Sequence, residues 1–211
     1  MQLDPDLRVM RTTLAPSEIR DAILDAAERL LARYGYQKMT MDDLAREAGI
    51  GKGTTYLHFP SKQEVILCSI DRIVDRLLEQ LRVIAQSTDT PAVKVRKILA
   101  TRVLFRFDSV KGYSQGLDDV LRALRSAYLA RRQRYFAAEA AVIADVLRAG
   151  QASGVFTVQD PMALAYTLLL ATNSLLPYSL SRRELGKRKE VQEQAERVAT
   201  LVLDGLRRRT P

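Results

Sequence analysis

The chain has 211 residues, 47% of them hydrophobic, and a net charge of +8; this excludes an intrinsically disordered segment and leaves enough chain for one or two units with a real core. A single cysteine, Cys68, excludes an intramolecular disulfide, and a single histidine, His58, gives a metal cluster or a His-based triad nothing to build on. No cofactor, metal or catalytic site is therefore expected. The N-terminus lacks the apolar core of a signal peptide, and the most apolar run, residues 164–176, is too short for a membrane span, so a cytoplasmic protein is expected.

Residues 1–16 read as an arm bracketed by Pro5 and Pro16. A first helix is predicted over 17–34, capped by Ser17, with Glu18 and Asp21 at the positive end of its dipole. Its apolar stripe is Ile19, Ile23, Ala26, Ala27, Leu30, Leu31 and Tyr34, and Gly35 ends it. Thr40 caps a second helix, with Asp43 in the place of a capping-box acid. Its inward residues are Met41, Leu44, Ala45 and Ala48; Gly49 then supplies the left-handed backbone of a tight turn and Ile50 drops into the core. A third helix, over 52–59, has only two turns and needs the first two as a platform. Pro60 stops it and Ser61 caps a long fourth helix over 62–86.

Residues 87–91 form a polar link. Further helices are predicted over 91–107, 117–126, 128–153, 161–179 (capped by Asp160) and 189–208, with a loop at 108–116 and a basic loop at 181–189. Val191, Ala195, Val198, Leu201, Val202 and Leu206 are expected to face inward on the last. The fold class is all-α, with about nine helices.

A short helix presented on a helical platform fits the DNA major groove, its N-terminal half reaching base edges. Here that half is Lys52, Gly53, Thr54, Thr55 and Tyr56. Gly53 lets the backbone approach phosphate; Thr54 and Thr55 bond bases or lay a methyl against thymine; Tyr56 and His58 carry donors for phosphate oxygen. Lys62 and Thr40 sit at helix N-termini that suit phosphate, and Arg8 and Arg11 of the arm can touch phosphate or the minor groove. The net charge does not support this reading: residues 1–62 hold nine Lys/Arg and nine Asp/Glu, and the excess lies in 63–211, with 24 against 16. Phe59 reads as a core aromatic and Cys68 as a small buried residue.

Gly35-Tyr36, Thr40, Ala45 to Gly49, Lys52-Gly53-Thr54, Tyr56, His58-Phe59 and Ser61-Lys62 together resemble the signature of the tetracycline-repressor-type (TetR) transcriptional regulators. The resemblance covers about residues 17–77. It implies a DNA-binding domain over 17–77 with its helix-turn-helix at 40–59, and a ligand-binding and dimerisation domain over 78–211. It further implies a homodimer joined through the last two helices, a palindromic double-stranded DNA operator, and repression relieved by a small molecule. Two positions depart from the pattern. Thr55 stands where the family is usually apolar, and Leu57, two residues on, where it is often polar, so the core contact passes to Leu57 or stays with the Thr55 methyl. Gly51 replaces the usual serine cap, weakening it by a few tenths of a kcal/mol.

Beyond residue 85 the expected ligand-lining residues are Arg102, Phe105, Tyr113, Tyr128, Tyr135, Phe136, Tyr166 and Asn173. Asn173, mid-run in an apolar helix, pairs across a dimer or to backbone, or holds a polar group of a ligand. The arginines of this half read mainly as solvated faces and otherwise suit an apolar or anionic effector such as a fatty acid. Two alternatives stand beside this reading: a DNA-binding regulator controlled by a partner rather than a small molecule, and a helical enzyme, for which no nucleophile–base pair is evident.

Overall fold

The computed structural model describes residues 15–111, 117–176 and 186–206, arranged as eight α-helices. In chain order these are α1 Pro16–Lys38, α2 Met41–Glu47, α3 Lys52–His58, α4 Lys62–Gln86, α5 Pro91–Lys111, α6 Leu117–Ala152, α7 Pro161–Asn173 and α8 Arg188–Leu206. No described helix is long and apolar enough to cross a membrane. Arg8, Arg11 and Tyr113 lie outside the described residues, as do 177–185 of the basic connection.

The predicted helices over 117–126 and 128–153 are one 36-residue helix. No glycine or proline stands between residues 117 and 149, and Ala127 and Tyr128 continue the helical pattern. At the N-terminus of α1, Ala15 rather than Ser17 holds the cap position, with Pro16 in the first turn. Ala15 has no side-chain acceptor; instead the Glu18 carboxylate reaches back to accept from the Ala15 N–H at 2.6 Å. Gly35 breaks the helical backbone, as expected, at φ 74° and ψ 172°. The break moves the inward aromatic position: Tyr34 is half exposed, while Tyr36 and Met39 are buried. The inward face of α8 is likewise rotated. Leu201 is 77% exposed, and Ala199 and Leu203 are fully buried beside Val191 and Ala195.

Two main cores result. One joins α1, α2, Phe59 and the first half of α4, and it includes Val120 and Leu124 from α6. The other joins the second half of α4 to α5, the second half of α6, α7 and α8. Helices α4 and α6 therefore run through both cores, and the N-terminal half of α6 packs on α1. At the far end, Gly150 touches the Phe156 ring: a Cβ placed there would lie 2.2 Å from ring carbon and 3.0 Å from Pro91 Cβ. Gly150→Ala should lower stability by about 1–3 kcal/mol through this overlap, read as a lower urea midpoint at unchanged slope; an unshifted midpoint would show that the ring moves aside freely.

Candidate functional site

The α2–turn–α3 unit is built as its residues dictate. The Thr40 hydroxyl oxygen accepts from the Asp43 N–H at 3.1 Å, and the Asp43 carboxylate accepts from the Thr40 N–H at 3.1 Å and from its hydroxyl at 2.7 Å. Both partners of the cap are thus satisfied locally, and these bonds hold the exposed Asp43 carboxyl below its ordinary pKa. Gly49, at φ 70°, makes the turn, and the Ile50 N–H donates to the Ala45 carbonyl at 3.0 Å.

α3 is held from below by two residues four apart. Phe59, just past its end, is fully buried with the Arg20 guanidinium 4.3 Å from the ring centroid. Thr55 is also fully buried, and its hydroxyl donates to the Gly51 carbonyl at 3.2 Å. This corrects the expectation for Thr55: with no exposed surface and its donor engaged, its side chain cannot reach a base. The core contact stays with Thr55, and Leu57 is turned outward at 86% exposure.

The other expected residues are placed as follows. Lys52 is exposed, and its ammonium lies 2.8 Å from Asp42 of α2. Gly53 is exposed with open space where a Cβ would stand. Thr54 and His58 are partly exposed, and Tyr56 is 45% exposed. Lys62 differs from a plain surface lysine. Its ammonium donates to the Tyr36 carbonyl at 2.9 Å and lies 4.3 Å from the centre of the Tyr36 ring, tying the start of α4 to the end of α1. Burial there pushes its pKa down. Cys68 is buried; its thiol donates to Glu64 at 3.4 Å and its sulfur accepts from Arg20 at 3.1 Å, and burial raises its pKa.

The expected ligand-lining residues do not converge on one space. Arg102 is fully buried and its side chain belongs to an interior cluster: it donates to Glu139 at 2.6 Å and to the Thr172 hydroxyl at 2.8 Å. Arg106 grips the other side of the same carboxylate, so α5, α6 and α7 are pinned together. Arg102 and Arg106 are thus not members of a solvated face. Tyr135 is buried, and its hydroxyl donates to Asp71 of α4. Tyr128 is partly buried, its ring 6.4 Å from that of Tyr135. Phe105 packs against the second core. Tyr166 lines a groove of about 620 Å³ between α6 and α7, with Leu129, Arg132, Phe136 and Leu170 among its walls. The Arg132 guanidinium lies 4.7 Å from the centre of the Phe136 ring. Asn173 Oδ1 is buried and accepts no hydrogen bond among the described residues.

Sequence reasoning missed Arg106, Glu139 and the seam of Asp71 with Arg131. A signal was present for the first two. Val95, Ile98, Leu99, Arg102 and Arg106 follow one another at helical spacing, as do Glu139, Ile143 and Leu147, so the charges occupy inward positions of apolar stripes.

The comparisons with known proteins agree with this geometry. The TetR family model, described as bacterial regulatory proteins, matches residues 23–67. The HTH-type transcriptional regulator EthR of Mycobacterium tuberculosis is 38% identical over 81 residues, which is 38% of each chain. The chain therefore aligns with well under half the length of that curated relative. A solved transcriptional regulator of the TetR/AcrR family from Thermobifida fusca is 26% identical, with a TM-score of 0.64 over 90% of this chain and 98% of its own. The solved complex of SmeT with triclosan shares the fold at 21% identity and a TM-score of 0.60, over 87% of this chain and 90% of its own.

Proposed function

We propose that this chain, which belongs to the TetR family of bacterial regulatory proteins, is a cytoplasmic DNA-binding transcriptional regulator. It acts as a homodimer that represses transcription and leaves a palindromic operator when a small molecule binds. The observation that carries this reading is the setting of α3: Thr55 and Phe59 fix its inner side in the first core while Gly53, Thr54, Tyr56 and Leu57 stand outward. In the major groove, Thr54 supplies a base contact, Gly53 the close backbone approach, and Tyr56 and His58 phosphate contacts. Lys52 exchanges Asp42 for phosphate. Lys62 keeps one ammonium proton on Tyr36 and offers the others. Thr40 contributes the N-terminus of α2.

Exposed Leu170, 64%, and Leu201, 77%, on the last two helices support dimerisation there, since a second copy would cover both. The groove beside Phe136 and Tyr166, with Arg132 at its wall, supports an apolar or anionic effector; SmeT, of the same fold, binds triclosan. The control half then runs over 78–211 and the DNA-binding half over 17–77.

Selection of bound genomic fragments, followed by footprinting, tests the reading: an inverted repeat protected on both halves is expected, and no enriched fragment would remove it. On that operator, Thr54→Ala should cost about 1–3 kcal/mol of discrimination at one base position per half-site, measured as Kd across single-base variants. A uniform loss over all sequences would make Thr54 a phosphate contact instead.

A further inference from the structure

We infer that Leu57 reads thymine through its C5-methyl group and is a specificity-determining residue of α3; this rests on α3 being the major-groove element. Leu57 is the most exposed large hydrophobic side chain described, at 86%. Leu170 and Leu201, the next most open leucines, lie on α7 and α8, far along the chain from α3. Core packing does not need Leu57, because Thr55 and Phe59 already fill the inner side of the helix.

At 100° per residue, Gly53, Thr54 and Leu57 share the face opposite Thr55 and Phe59. That face is poor in hydrogen-bonding groups. Gly53 adds no side chain and has open space above it. Lys52, the nearest cation in sequence, has its ammonium on Asp42. What remains at the centre is one threonine hydroxyl, one threonine methyl and the leucine isobutyl group. Among the groups a base pair presents in the major groove, the thymine methyl is the apolar one. A short branched side chain reaches it only if the helix backbone comes close, and Gly53, one turn before Leu57, permits that approach. The geometry therefore pairs an apolar probe with the one apolar feature of the groove floor.

The test compares the wild-type chain and Leu57→Ala on the selected operator, with each thymine in turn replaced by uracil, which lacks only the methyl. Leu57 is on the surface, so the variant keeps its fold. For the wild-type chain, one thymine position in each half-site should weaken binding by about fourfold per methyl removed, the factor expected for one buried carbon. In Leu57→Ala the same replacement should have no effect, while replacements elsewhere behave as before. An operator bound equally well with every thymine replaced, or a thymine-to-uracil ratio unchanged in Leu57→Ala, overturns the assignment and leaves the regulator reading standing. If no DNA is selected at all, the regulator reading falls and the assignment falls with it.

Discussion

Glu139→Ala should lower the stability of the folded chain by about 3–5 kcal/mol, the cost of breaking a buried ion cluster by removing one sign of charge. Glu139 and Arg102 are fully buried and Arg106 nearly so. The carboxylate accepts from Arg102 Nε at 2.6 Å and Arg106 Nη1 at 3.2 Å on one oxygen, and from Arg106 Nη2 on the other. Removing it leaves two guanidinium groups turned toward an apolar cavity, in a region where water cannot take the place of the carboxylate. For a chain of this size the loss corresponds to roughly 6–20 °C in Tm. Thermal unfolding checks it, and a change below about 1 kcal/mol would mean that the arginines find solvent in the native state.

The same cluster sets a direction with pH. Burial pushes the Glu139 carboxyl up, and Arg106 and Arg102 together outweigh that and hold its pKa below the ordinary value. A carboxyl depressed in the folded state contributes stability above its unfolded pKa of about 4.3, and that contribution is lost as pH falls through the folded value. The wild-type chain should therefore lose stability on acidification below about pH 4 more steeply than Glu139→Ala, which has no such carboxylate to protonate.

The second large effect belongs to Asp71, on α4. It accepts from Arg131 at 2.5 Å, from Arg134 at 2.8 Å and from the Tyr135 hydroxyl, all on α6. Arg131 also reaches Glu64 at 2.7 Å, one helical turn from Cys68 on α4. These bonds form the polar seam between the two helices that run through both cores. Asp71→Ala should cost about 2–4 kcal/mol, less than Glu139→Ala because Asp71 and Arg131 keep some access to water and Arg134 is largely exposed. A double-mutant cycle with Arg131→Ala should return a coupling of about 1–2 kcal/mol; additivity would reduce the seam to independent surface pairs. Because the seam ties α6 to the helix that carries the base of α3, the variant should also weaken DNA binding without touching any residue of α3.

Local residues wrote much of the N-terminal half. Thr40 with Asp43, Gly49 before Ile50, and Pro60-Ser61 are signals whose partners lie within four residues, so sequence spacing alone places them. The outward placement of Gly53, Thr54 and Tyr56 on α3 was legible in the same way. It was not legible at Thr55 and Leu57. A two-turn helix gives too few positions for a stripe, and threonine is both small enough to bury and polar enough to expose. Which of the two turned inward depended on the shape of the core beneath. The contact of Lys62 with Tyr36 was not legible for a related reason: the carbonyl that receives its ammonium is 26 residues away.

By itself, then, the sequence determined an all-helical chain, a helix-turn-helix with its caps and turn, and a family signature, because each depends on contacts within one or two helical turns. Only the tertiary structure decided that α6 is a single rod shared by two cores, that Arg102 serves the interior, and that Leu57 rather than Thr55 faces outward. Those outcomes depend on which distant side chains meet, such as Arg102 with Glu139 across 37 residues or Asp71 with Arg131 across 60. The energy that decides them is the cost of burying charge or leaving a hydrophobe in water, and it is fixed only when the helices have packed.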